Sequence, residues 1–82
     1  MSKPEEYVQY GASILKGWLD PYALYRALPP GDLYEAQRLH SALAVALKQA
    51  SNLPKNQRPP KPWRRRAVAV RRVLEDKWDI GI

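Results

Sequence analysis

The residues in this sequence that are best suited to bind a partner are basic, and they are concentrated in one stretch near the C-terminus. Between Lys55 and Arg72 the chain has eight basic residues and no acidic residue. Arginine predominates there, and its planar guanidinium pairs with phosphate or carboxylate through two hydrogen bonds. The stretch therefore predicts a surface that binds an anionic partner, formed by Lys55, Arg58, Lys61, Arg64, Arg65, Arg71 and Arg72.

The spacing of these residues predicts a helix with separate cationic and apolar sides. At about 100° per residue, with Arg64 at zero, the cations project at about −20° (Arg71), +60° (Lys61), +80° (Arg72) and +100° (Arg65). The apolar residues fall between about −120° and −40°; they are Trp63, Ala67, Val70, Leu74 and Trp78. Arg66 points away from both sides. We expect one exposed face made of Arg64, Arg65, Arg71 and Arg72, which supplies most of the affinity for the partner.

An arginine-rich helix face is typical of several anionic partners. Phosphates of RNA or DNA are favoured, with RNA preferred because arginine and aromatic side chains suit unstacked bases. The alternative is an acidic protein surface, bound by an adaptor, inhibitor or assembly factor. Reversible docking on an anionic membrane surface is a weaker option. The arginines could instead form a solvated face that pairs within the fold, with Glu5, Glu6 or Glu35.

The aromatic residues also indicate surfaces for a partner. There are three tryptophans, five tyrosines and no phenylalanine, so every aromatic side chain has a hydrogen-bonding group. We expect the tryptophans to build the small core, with Trp18, Trp63 and Trp78. Tyr10, Tyr22 and Tyr34 are expected to be exposed and to offer stacking contacts to a partner.

Little in the sequence supports catalysis or metal binding. The absence of cysteine removes thiolate nucleophiles and cysteine-based metal sites. His40 is the only histidine and has no carboxylate four residues away. On a helix, its neighbour Ser41 would point about 100° away from it. The four glycines are too scattered for a phosphate-binding loop. We therefore expect a non-catalytic accessory protein without cofactor or metal.

The net charge of +6 arises entirely in the last part of the chain. Residues 1–50 have five basic and five acidic residues, whereas residues 51–82 have nine basic and three acidic ones. The longest apolar stretch, 42–47, is far shorter than the about 20 residues of a membrane span. The first residues also lack the apolar run of a signal peptide. We expect a cytoplasmic protein with no integral membrane association, and nothing in the sequence indicates an oligomeric state.

Helices divided by proline and glycine turns must position these residues. Within a single domain, 1–82, the pattern predicts helices over 4–19, 21–28, 33–50 and 62–78. A proline-rich basic linker over 51–61 is expected to be extended. Asp20 and Asp32 are predicted N-caps, the second in a capping box with Glu35.

The apolar periodicity completes the expected fold. It predicts a core that includes Leu39, Leu43, Leu47, Val70 and Leu74, with Val8 and Leu15 packed against them. No hairpin turn or strand alternation competes with the helical pattern. The expected fold class is all-α, a small bundle of three to four helices.

Overall fold

The structure is a computed structural model that describes Tyr7 and residues 19–80. Within residues 19–80, three α-helices follow one another: α1 (Pro21–Ala27), α2 (Leu33–Asn52) and α3 (Lys61–Trp78). A short 3₁₀ helix, Lys55–Gln57, lies between α2 and α3. The described residues include no strand, which confirms the all-α class. The predicted first helix, 4–19, lies outside the described residues except for Tyr7 and Leu19, as do Val8, Leu15 and Trp18.

Aspartate caps determine where α1 and α2 begin, as the sequence predicted. The carboxylate of Asp20 accepts a hydrogen bond from the Tyr22 N–H at 3.0 Å, and that of Asp32 accepts one from the Glu35 N–H at 2.8 Å. Each bond satisfies an amide that the first turn leaves without a helical partner. The Glu35 side chain reaches back to the N–H of Gly31 at 2.7 Å, one residue before the usual capping-box position.

The segment between α2 and α3 is shorter and more folded than the extended linker predicted over 51–61. Helix α2 continues to Asn52, and the Ser51 hydroxyl donates to the Leu47 carbonyl at 3.1 Å within its last turn. Arg58 then folds back and donates to the carbonyls of Leu53 at 2.8 Å and Ser51 at 3.3 Å. A basic side chain bonding the last carbonyls is a common way to finish a helix. These contacts hold the linker against the end of α2.

One core joins the helices. Its buried residues are Tyr7, Ala36, Leu39, Ala42, Leu43, Ala46, Ala50, Trp63, Ala67, Val70 and Leu74. Leu47 was predicted to be buried, but it is only partly buried because it lies at the edge of the α2 stripe, about 40° from Leu43. Trp78 is also partly buried against the core. The phenol of Tyr7 donates to the Leu28 carbonyl and so attaches this residue to the end of α1.

Helix α3 packs against both of the other described helices. It runs antiparallel to α2, since His40 contacts Glu75 and Ser51 contacts Arg64, eleven residues apart on each helix. Its Trp63 indole donates to the Leu19 carbonyl at 2.9 Å, at the entrance to α1. None of the helices in the described part of the chain has the length and apolar character that crossing a membrane requires.

Candidate functional site

An open groove along the outer side of α3 collects three of the predicted arginines. We call it the arginine groove; it is lined by Arg64, Arg65, Val68, Ala69 and Arg72. These residues share an arc of about 140° on the helix, away from the apolar face that packs on the core. The three arginines are exposed, while the two small apolar residues between them are half-buried. The groove is therefore a shallow apolar floor with guanidinium groups around it.

No described carboxylate pairs with the arginines of this groove. The side chains of Arg65 and Arg72 make no hydrogen bond or ion pair with any other residue that the structure describes. Arg64 makes a hydrogen bond only to a neutral group, the Ser51 hydroxyl, at 3.3 Å. The guanidinium N–H groups of these arginines are consequently available to bind an anion that does not belong to the described residues.

The charges on α3 are arranged against the helix dipole. The first turns hold Lys61 and three consecutive arginines but no acidic residue, whereas the C-terminal end has two acidic residues, Glu75 and Asp76, beside one basic residue, Lys77. Cations at a helix N-terminus and anions at a C-terminus are each unfavourable by about 0.3–1 kcal/mol at exposed positions. This arrangement does not stabilise the helix. It concentrates positive potential at one end, beside the arginine groove.

Two other arginines of α3 are placed differently. Arg71, predicted to be part of the exposed face, is half-buried, and its Nε atom is buried without a hydrogen-bond partner among the described residues. Its position at about −20° on the helix puts it next to the apolar side, which explains why its side chain is half-buried and not exposed as predicted. Arg66 pairs with Asp20 at 3.3 Å and lies 5.5 Å from the ring centre of Tyr22, so it connects α3 to α1.

The remaining predicted site residues that the structure describes are exposed but are not brought together in the groove. Lys55 lies in the 3₁₀ helix and Lys61 begins α3, and both side chains are in solvent. Tyr22 and Tyr34 are 42% and 55% exposed, yet each has a guanidinium of this chain against its ring. For Tyr34 that group belongs to Arg38, 5.3 Å from the ring centre and four residues later. Tyr10 lies outside the described residues.

A contact between α2 and α3 was missed by the sequence reasoning. His40 Nε2 lies 2.8 Å from Glu75 Oε2, and only 12% of the His40 side chain is exposed. The hydrogen bond with His40 lowers the pKa of the Glu75 carboxyl, and the charges of Arg71 and Arg72 add to this effect. The two residues are thirty-five positions apart, so no helical spacing signals the pair. Only the antiparallel packing of the helices brings them together.

The described residues contain no group of three or more histidine, cysteine, aspartate or glutamate side chains that could hold a metal ion.

The geometry of the arginine groove supports the binding of an anion by hydrogen bonds and charge. A comparison with models of known protein families, with curated proteins and with solved structures found no match to this chain.

Proposed function

We propose that this chain is a non-catalytic accessory protein that binds RNA or DNA through phosphate contacts in the arginine groove. The observation that supports this most strongly is the cluster of three exposed arginines, Arg64, Arg65 and Arg72, none of which forms an ion pair with a described carboxylate. Hydrogen bonds to charged groups are typically worth about 1.5–3 kcal/mol each and do not add fully within a cluster. Affinity that depends on such contacts should fall as the salt concentration rises.

The row of cations along α3 suits a polymer of phosphates better than a single small anion. Lys61, Arg65 and Arg72 lie within an arc of about 40° on the same side of the helix. Along the helix axis they are separated by about 6 Å and then about 10 Å. A ligand with repeated negative charges can contact several members of this row at once. We therefore infer a nucleic-acid backbone as the partner, with little dependence on base sequence.

The floor of the groove favours nucleic acid over an acidic protein. Energetic anchors of protein interfaces are usually tryptophan, tyrosine and arginine side chains in well-packed pockets. The groove offers arginine, but its apolar part consists of the small side chains of Val68 and Ala69. The exposed tyrosines Tyr22 and Tyr34 do not line it. This composition supports charge-dominated binding, and an adaptor for an acidic protein remains the competing function.

Co-purification from native lysate, with and without nuclease, tests this proposal. We expect the native protein to retain nucleic acid that nuclease removes, and the variant R64Q/R65Q/R72Q to retain little. A matched control, R26Q/R38Q/R66Q, removes the same number of charges outside the groove and should retain nearly as much as the native protein. A stoichiometric acidic protein that survives nuclease, with no nucleic acid in the untreated sample, would overturn the proposal in favour of the adaptor.

A further inference from the structure

We propose that Ser51, Arg58 and Arg64 form a preorganised site for one phosphate group, which we call the junction site. It lies where the end of α2, the linker and the start of α3 meet. The inference rests on the proposed function, because the phosphate belongs to the nucleic acid that the arginine groove binds. Within that complex, the junction site holds a single phosphate by directed hydrogen bonds.

Two guanidinium groups from different segments converge on one serine. Nη2 of Arg64 lies 3.3 Å from the Ser51 hydroxyl, and Nη2 of Arg58 lies 3.3 Å from the carbonyl oxygen of the same residue. Both arginines are exposed. The described residues place no carboxylate in an ion pair with either of them. Two positive charges held beside the same residue repel each other, and an anion bound between them would offset that repulsion.

Both guanidinium groups are oriented before any ligand arrives. Arg58 is held by two carbonyls, since its Nε also donates to Leu53 at 2.8 Å. Arg64 is held by the Ser51 hydroxyl, which in turn donates its own proton to the Leu47 carbonyl at 3.1 Å. A side chain that is already ordered loses less entropy on binding. The serine therefore orients Arg64 and does not itself donate to the ligand.

The remaining donors suit a phosphate group. Each guanidinium has five N–H donors, of which the contacts above use two on Arg58 and one on Arg64. The planar fork of arginine bonds two phosphate oxygens at once, which the point charge of lysine cannot do. The ligand chemistry is thus a phosphate, either a monoester at the end of a strand or a diester within it.

Lysine substitutions of two adjacent arginines test the junction site. Arg65 is the comparison within the groove, because it follows Arg64 directly, is also exposed, and its side chain makes no hydrogen bond to a described residue. Both R64K and R65K keep the positive charge, but only R64K removes a guanidinium group that is already oriented in the junction site. By fluorescence anisotropy with a labelled single-stranded RNA, we expect R64K to weaken binding about tenfold and R65K, which loses a groove contact but no oriented guanidinium, by only about threefold.

A second test variant, S51A, should also weaken binding, because it releases the Arg64 side chain. Thermal melts show whether each variant is folded. Equal effects of R64K and R65K would overturn the junction site while leaving the proposed function intact. If the native protein binds no nucleic acid, the proposed function itself fails.

Strands of the same sequence with 5′-phosphate, 3′-phosphate or hydroxyl ends distinguish the two sources of the phosphate. Tighter binding of one phosphorylated end, lost in R64K, identifies a monoester at that end. Equal binding of all three strands, weakened alike by R64K, identifies a diester within the strand. Either result supports the junction site. If R64K binds all three strands as tightly as the native protein does, the junction site is contradicted.

Discussion

Truncation of Leu43 tests how α2 is oriented in the core. This side chain is 0% exposed and lies on the face of α2 that packs on the buried residues of α3. A buried Leu→Ala change typically costs about 2–5 kcal/mol. A chain of 82 residues has a total stability of only about 4–12 kcal/mol, from about 0.05–0.15 kcal/mol per residue. Since 1 kcal/mol lowers the Tm of a small domain by about 4–8 °C, we expect L43A to lower it by about 10 °C or more.

The assay is thermal unfolding followed by circular dichroism at the helical band, with urea unfolding as a second measurement. Val45 provides the matched control, because it lies two residues further along α2 but is 48% exposed. V45A should change the free energy of unfolding by about 0.5 kcal/mol or less. An unchanged Tm in L43A, or an equal loss in V45A, would show that the helix face has been assigned wrongly.

Three further predictions concern caps, an ion pair and acid stability. D32A removes the N-cap of α2 and should cost about 0.5–2 kcal/mol in urea unfolding; no loss would contradict the role of that cap. R66Q breaks an exposed pair with Asp20 and should cost at most about 1 kcal/mol, with unchanged RNA affinity by anisotropy. Because the pKa of Glu75 is lowered below its ordinary 4.5 in the fold, its contribution to stability is present above pH 4.5 and is lost as pH falls through the lowered value. E75Q should therefore weaken the acid dependence of urea unfolding; an identical profile would exclude this contribution.

Features that depend on neighbouring residues were predictable from the sequence. The aspartate caps of α1 and α2 and the apolar face of α3 were all expected, because capping and helical periodicity act over a few residues. The same periodicity placed Arg64, Arg65 and Arg72 on one side of α3. The groove that they line therefore follows from the spacing of the residues once α3 is known to be a helix.

Features that depend on packing between segments were not predictable. The position of Arg71 is at the boundary of the two faces, and helical angles alone do not show that packing half-buries it. The pairing of His40 with Glu75 needs the register of two antiparallel helices. Arg58 was expected in an extended linker, but the free carbonyls at the end of α2 attract its guanidinium. Each difference arises from a contact between residues that are distant in sequence or in different segments.

A salt titration of nucleic-acid binding tests the central proposal most directly. The native protein, R64Q/R65Q/R72Q and the charge-matched R26Q/R38Q/R66Q are each titrated with a single-stranded RNA and a duplex DNA over a range of salt. Log affinity of the native protein should fall linearly with log salt, by about 0.7 per phosphate contact for the single strand and about 0.9 for the duplex. The groove variant should bind more weakly, with a slope smaller by about 2–3, while the control keeps nearly the native slope. No binding by the native protein at low salt, or the same loss of slope in both variants, would contradict the assignment of the arginine groove as a phosphate-binding surface.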